Sequence, residues 1–530
     1  MKTKNRSRDT IVKLLLPVLL LAGGVLLAAC SVMDSRQTAV SDKKPVAAKY
    51  VILLIGDGMQ QAHEIAASRY LTGKDKALAQ HAFPYKSACT HWDITTYNRY
   101  AWASGKPKYD AETFTATVGY DTSAGGNWTY DTDWDPPSEE YFLKPLDRWG
   151  GGFPGIPATD SAAAGTALAT GTKTDAGNLS WSAGDPTDGA LATIAEKIRS
   201  QKSASFGVVS TVPFSHATPA CFVSHNVHRR NYSSEKFIKN YEGPPWISEE
   251  IIRDTKPDVV IGAGHPDFGS SGYISSTDLT GLRASASSPY DEYVFVERRT
   301  GQDGAENLSE AVSAITGSDD ENHSKKLFGL FGGKYGFMEH PVPADTPGNP
   351  SFKYEPENPT LAQCTHAALQ VLELRGKGNG FFLMVEGGDI DWANHSNHYS
   401  WLIGSMHQLD EAVKAVVSYV DDTGNDLSWS NTLVIVTSDH SNSYMRLSRE
   451  PAKILSKGDL PLQNKTNPPT YPDGEVWYKT RSHTSEPVMI YARGAGAELF
   501  KEYEGKWYPG TRLIDNTHIN RVMSRALGVR

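Results

Sequence analysis

Four short runs of this chain are apolar or β-branched almost throughout: Tyr50–Ile55, Ser205–Thr211, Phe381–Val385 and Thr432–Thr437. A strand with one wet face alternates polar and apolar residues, so an unbroken run means that both faces are covered. That is the habit of parallel sheets with helices on either side. Helical patterns lie between the runs: Ala62–Leu71, a segment from Thr360 to about Leu374 closed by Gly376 and Gly378, and a stripe of Leu409, Val413, Val416 and Val420. A further helix over Ala190–Ser200 is expected to be capped by Thr187-Asp188, and the last over Asn516–Leu527. The fold class is therefore α/β.

Each run ends in chemistry. Asp57 follows the first within Gly56-Asp57-Gly58, and His216 and Thr218 follow the second. The third is expected to end in a glycine loop holding Glu386, Asp391 and His395, with the last two on one face if the segment turns helically. Asp439 and His440 tip the fourth, and His483 precedes another strand, Pro487–Tyr491. The C-terminal strand edge is where α/β sheets place their ligands. Imidazole with carboxylate suits zinc, whereas carboxylate, hydroxyl and water suit magnesium. Thr159-Asp160 halts the chain before an Ala-rich helix that starts at Ser161 and ends at Gly171. A serine at a helix N-terminus sits among free N–H groups that favour an anion.

The N-terminus carries Lys2, Lys4, Arg6, Arg8 and Lys13 ahead of an apolar run, Leu14–Ala29. The run closes Leu27-Ala28-Ala29-Cys30, similar to a bacterial lipobox, so residues 1–29 are expected to be a signal peptide and Cys30 a lipidated anchor for a tether over residues 30–48. Residues 49–530 form the catalytic domain, with irregular stretches near 83–152 and 444–479. The chain is thus expected to be exported and lipid-anchored at a bacterial membrane. Cys89, Cys221 and Cys364 remain, enough for one disulfide of unassigned pairing. A net charge of −9 argues against nucleic-acid-specific binding.

Six motifs in order, Gly56–Met59, Asp160–Ala162, His216–Pro219, Glu386 through Asp391 to His395, Asp439-His440 and His483-Thr484, resemble those of the alkaline phosphatase family. The resemblance runs from about Tyr50 to Gly528 and is weakest in 83–152 and 444–479. It implies a three-layer sandwich with a large, mostly parallel central sheet flanked by helices. It implies two Zn2+ and one Mg2+ per subunit, a homodimer, and hydrolysis of phosphate monoesters through a phosphoserine on Ser161. Asp391, His395 and His483 match one zinc site, and Asp57, Asp439 and His440 the other. Thr218 and Glu386, with Asp57 bridging, match the magnesium ligands, and Arg229 matches the phosphate-binding arginine. His216 and Trp392 stand beside the third site in a combination similar to that of marine and cold-adapted bacterial members. Histidine brings no negative charge to hydrated magnesium, which implies a weaker or less selective third site. A phosphodiesterase or a narrow-specificity phosphatase of the same superfamily is the alternative. A sulfatase is disfavoured because Ser161 is followed by Ala162-Ala163-Ala164-Gly165 and not by its x-Pro-x-Arg signature.

Overall fold

The first apolar run becomes strand β1 (Tyr50–Gly56), and its residues divide between two separate cores. Tyr50, Ile52 and Leu54 face one, while Val51, Leu53 and Ile55 face the other. This is why the run shows no polar alternation: the period of two is present, but both faces are dry. The computed structural model describes residues 48–122, 158–238, 243–317, 324–333, 342–343, 352–353, 355–376 and 378–530. The signal-peptide and Cys30 expectations, and residues 123–152 of the 83–152 stretch, lie outside the described residues.

The other strands of the main sheet are β2 (Tyr85–Thr90), β3 (Ser205–Pro213), β4 (Val259–Ala263), β5 (Tyr293–Glu297) and β6 (Lys326–Leu330). They continue with β7 (Phe381–Gly387), β8 (Thr432–Thr437), β9 (Val488–Gly494) and β10 (Ile514–Asp515). The ten run in the spatial order β10-β2-β9-β8-β1-β7-β3-β4-β6-β5. From β8 to β5 every pairing is parallel, whereas β9 is antiparallel to both β8 and β2. The chemistry-bearing strands β8, β1, β7 and β3 are therefore four consecutive neighbours. In register, Ile55 pairs with Thr437 on one side and Glu386 on the other, and Glu386 pairs in turn with Ser210. The four strands thus end level.

Helices cover both faces. The face of Ile52 packs against α1 (Gln61–Thr72) and, later in the chain, helices over Gly304–Thr316, Leu361–Gly376 and Tyr399–Asp421. The opposite face packs against α2 (Ser161–Thr170), α3 (Ile194–Lys202), α4 (Ala217–Val223) and the C-terminal Asn516–Leu527 helix.

Five local expectations need correction. Helix α3 starts at Ile194, because Thr193 and Glu196 form a reciprocal capping box that outcompetes Thr187-Asp188. Glu386 lies inside β7 and not in a loop, and the glycine pair after it leads directly into a helix, Asp389–His395. The stretch from residue 83 is irregular by pattern, yet it opens with β2 and continues with a helix over Ile94–Ala103. Part of 444–479 is likewise paired, Met445–Leu447 with Val476–Tyr478. Finally, Cys89, Cys221 and Cys364 are all buried free thiols.

The α2 helix is fixed at both ends. The Asp160 carboxylate caps it by accepting from the Ala163 N–H at 3.1 Å, and Gly171 ends it in a left-handed conformation. Two of its terminal carbonyls, Leu168 and Ala169, accept hydrogen bonds from the Asn520 amide. Just beyond, the buried Lys173 ammonium donates to the Trp92 carbonyl at 2.6 Å and pairs with Asp515 at 2.9 Å. Breaking such a buried pair leaves an uncompensated charge, typically about 3–5 kcal/mol. The serine at the helix start is thus carried by a rigid element.

Candidate active site

Asp57, Asp439, His440 and Ser161 meet at the level strand ends. Asp57 follows β1, Asp439 and His440 follow β8, and Ser161 opens α2. His440 Nε2 lies 3.1 Å from Ser161 Oγ, 3.3 Å from Asp57 Oδ1 and 3.2 Å from Asp439 Oδ2. One imidazole nitrogen cannot donate to three oxygens, so the convergence is that of ligand atoms placed to share a cation. Asp57 Oδ1, Asp439 Oδ2 and His440 Nδ1 are buried and, among the described residues, make no hydrogen bond. Gly58 completes the turn with φ +67°, and its N–H donates to Asp439 Oδ1 at 3.1 Å. A Cβ there would lie 2.6 Å from Asp391 Oδ1, so only glycine fits.

A second group adjoins the first. His395 Nε2 is 3.2 Å from Asp391 Oδ2, His483 Nε2 is 3.5 Å from Asp391 Oδ1, and the two Nε2 atoms are 3.1 Å apart. Each ring is oriented from behind. His395 Nδ1 donates to the Arg481 carbonyl at 2.6 Å and His483 Nδ1 to the Thr159 carbonyl at 2.7 Å. A carbonyl only accepts, so each Nδ1 carries a proton and the facing Nε2 atoms have one proton or one cation to share. The His440 and His483 rings stack at 3.6 Å, joining the two groups. Asp391 with His440 and His483, and Asp57 with Asp439 and His440, each bring three ligand atoms within 4.8 Å of one another.

Glu386 and Thr218 lie next to this pair of groups. Glu386 Oε1 and Thr218 Oγ1 are both buried without a hydrogen-bond partner among the described residues, while Ser210 Oγ donates to Glu386 Oε2. His216 sits beside them with its Nδ1 buried and without a hydrogen bond, its ring edge-on to Trp392 at 5.7 Å and stacked on Tyr232. Burial, with Arg229 adding to it, pushes His216 down to about 3, so it is a neutral neighbour.

The electrostatics identify what is missing. Burial and then Asp439, Asp391 and Glu386 push Asp57 well above the usual carboxylate range. Burial raises Glu386 to about 8 despite Ser210, and burial with Asp391 raises Asp439 to about 6. Burial also works against Asp391, but His395 and His483 outweigh it and hold that carboxyl well below the ordinary range. Four carboxylates this close need protons or cations between them. The donor set, carboxylate oxygens and imidazole nitrogens with one hydroxyl, fits a divalent metal such as zinc or magnesium.

Ser161 opens into a cavity of about 660 Å³ that Arg229, Asp391, His395 and His483 also line. The Arg229 Nη1 donates to Asp160 Oδ2 at 2.8 Å, and Asp160 Oδ1 accepts from the Gly177 N–H. Asp160 therefore caps the serine helix and aims the arginine at once. All eight ligand candidates, Ser161 and Arg229 lie in this one region. The supporting residues Ser210 and Asn442, whose amide donates to Asp391 Oδ1 at 2.6 Å, carry no signal of their own in the sequence, and Asp160, read there as a helix stop and motif residue, also proves to hold Arg229. Each adjoins or pairs across from a motif residue, and only the register reveals the Ser210 partnership.

Stripping divalent metal with a chelator is expected to lower the melting temperature, because the carboxylates lose their compensation. The sign with pH follows from the raised carboxyls. Protonation stabilises the metal-free fold below their ordinary range, and this is lost as pH rises through about 6 and then about 8. The gap in melting temperature between loaded and stripped protein should therefore widen from pH 6 to pH 8. An equal gap at both pH values would show that these carboxyls are not coupled to the metal.

Residues 155–468 match the family model described as alkaline phosphatase. The chain is 29% identical over 521 residues to the alkaline phosphatase of Escherichia coli, covering 93% of this chain and 88% of that one. It is 26% identical over 540 residues to the streptomycin-6-phosphate phosphatase of Streptomyces griseus, covering 96% and 97%. The structure of alkaline phosphatase from the Antarctic bacterium TAB5 shares the fold, with TM-score 0.54 at 19% identity over 91% of this chain and 99% of that one. With a serine at a helix start, an arginine facing it and buried carboxylates demanding metal, the chain belongs to the alkaline phosphatase family and is an enzyme that hydrolyses phosphate monoesters.

Proposed function

We propose that hydrolysis proceeds through a phosphoserine on Ser161. The observation that carries this reading is the placement of Ser161 Oγ, at the positive end of α2, 3.1 Å from His440 Nε2 and in one cavity with Arg229. Asp391, His395 and His483 would hold one zinc, Asp57, Asp439 and His440 the other, and Thr218 and Glu386 with Asp57 a magnesium. When bound, these ions supply the positive charge that makes hydroxyl and water oxygens nucleophilic near neutral pH and neutralises phosphoryl oxygens.

The chain's own residues do the rest. Arg229 presents a fork to two phosphoryl oxygens, and Asp160 fixes its direction. Ser161 Oγ gives up its proton to water and bonds to phosphorus as the bond from phosphorus to the alcohol oxygen breaks, and that oxygen takes a proton from water and leaves as the alcohol, opposite the serine. The N–H groups at the start of α2 favour the serine oxygen as an anion. Water then adds to phosphorus, the bond to Ser161 Oγ breaks, and inorganic phosphate is released. A monoester dianion has three terminal oxygens and two negative charges, so it can engage Arg229 with oxygen and charge to spare for the metals, whereas a diester has only two terminal oxygens and one charge to divide between them. The similarity to the Streptomyces griseus enzyme over nearly its whole length favours, as a second reading, a monoesterase of narrow specificity.

The test compares p-nitrophenyl phosphate with bis-p-nitrophenyl phosphate at alkaline pH in zinc and magnesium. The monoester is expected to turn over fast and the diester slowly, and Ser161→Ala to lose about a thousandfold or more. Preference for the diester would overturn the role given to Arg229, and full activity of Ser161→Ala would overturn the intermediate.

The reading also includes a lipid anchor at Cys30, with export, and assembly as a homodimer; the first is supported by the Leu27–Cys30 motif and the second by family resemblance. Expressed in a bacterium, the wild-type chain is expected in the membrane fraction and, after detergent extraction, at dimer mass. Cys30→Ser should appear in the soluble fraction, and its retention in the membrane would remove the anchor.

A further inference from the structure

Beyond the phosphoryl site, the mouth of the Ser161 cavity carries a second cation that the reaction does not use. Arg230 follows Arg229 directly in sequence and lines the same cavity, as does His228. Arg229 turns inward to Asp160, whereas Arg230 is exposed. Among the described residues the Arg230 side chain makes no ion pair or hydrogen bond. Its backbone N–H donates to His228 Nδ1 at 3.1 Å. Burial and then Arg230 lower the imidazole's proton affinity, so His228 is neutral and its one proton sits on Nε2. That edge, too, has no hydrogen-bond partner among the described residues. The ring is set against Gly177, where a Cβ would meet Nε2 at 3.8 Å. Of the two acids that also act on His228, Asp160 is taken up by Arg229 at 2.8 Å and Asp185 by the Asn178 amide at 2.9 Å.

The result is a guanidinium fork and a neutral N–H donor side by side at the lip, in a chain whose net charge is −9. In-line displacement sends the alcohol away from Ser161 into the cavity that Arg230 and His228 also line. A carboxylate has two oxygens, which a fork alone satisfies, while a phosphoryl group has three and also uses the extra donor. We propose that Arg230 and His228 recognise a second phosphoryl group on the leaving alcohol, so that bisphosphates are preferred over simple monoesters. This rests on the monoesterase reading above.

The experiment uses the metal-loaded full chain and the series of α,ω-alkanediol bisphosphates from two to six carbons. Each is compared with the alkyl monophosphate and the ω-carboxyalkyl phosphate of equal length, by phosphate release. For at least one length the wild-type protein should prefer the bisphosphate. Arg230→Gln should cut that preference about fivefold, the size of an exposed charge pair, through KM and not kcat. Arg230→Lys should restore part of it, and added salt should weaken it. His228→Phe should cut the preference over the carboxylate more than the preference over the alkyl monoester. A preference absent at every length, or unchanged in Arg230→Gln, would overturn the proposal. Wild-type protein inactive on the alkyl monophosphates would refute the monoesterase reading itself.

Discussion

Four buried carboxylates, Asp57, Glu386, Asp391 and Asp439, stand close enough to raise or lower one another's proton affinity. Like charges gathered in a low-dielectric interior are among the least favourable things a fold can build, and they persist only with compensation. Here the scaffold makes the repulsion unavoidable. Strands β8, β1 and β7 end level, so the residues that follow them cannot separate without disturbing the central pairings of the sheet. The histidines are held from behind by the Arg481 and Thr159 carbonyls, so they cannot turn away either. Such a site exchanges folding stability for a fixed set of ligand atoms, and the divalent metal returns that stability when bound.

Ser161, the proposed nucleophile, depends on the same rigidity from the other side of the sheet. Ser161 reaches the ligand cluster because α2 is capped by Asp160 and tied at its far end to Asn520 and, through Lys173, to Asp515. Asp160 also holds Arg229. One carboxylate therefore sets the direction of the serine helix and of Arg229, which, on the proposed mechanism, couples where the substrate sits to where it is attacked. Displacing a reacting atom by even about 1 Å can cost a hundredfold in rate. That explains why so much buried polar structure surrounds one short helix.

Much of this was legible in the chain itself. The unbroken runs at Tyr50, Phe381 and Thr432 identify parallel strands because two dry faces leave no polar alternation to see. Asp57, Asp439 and His440 were legible because they follow those runs immediately. Glu386 was placed one step too late, since a carboxylate in a buried strand contradicts strand composition unless a metal is assumed. Strand β2 was hidden by its surroundings: Tyr85-Lys86-Ser87-Ala88-Cys89-Thr90 is short and carries polar residues within a Trp- and Tyr-rich stretch. The start of α3 is set not by Thr187-Asp188, the cap read from the sequence, but by Thr193 further on, to which Glu196 reaches back. Ser210 and Asn442, and Asp160 in its pairing with Arg229, support the site through contacts that sequence proximity does not encode, such as the register of β3 with β7.

The most direct test of the whole account is to trap the covalent intermediate. Metal-loaded protein incubated with ³²P-labelled inorganic phosphate at mildly acid pH, then quenched in acid and digested, should yield one labelled peptide, phosphorylated on Ser161. Label on another residue, or none while phosphate remains bound, would contradict the claim that the strand-end cluster exists to activate the serine at the start of α2.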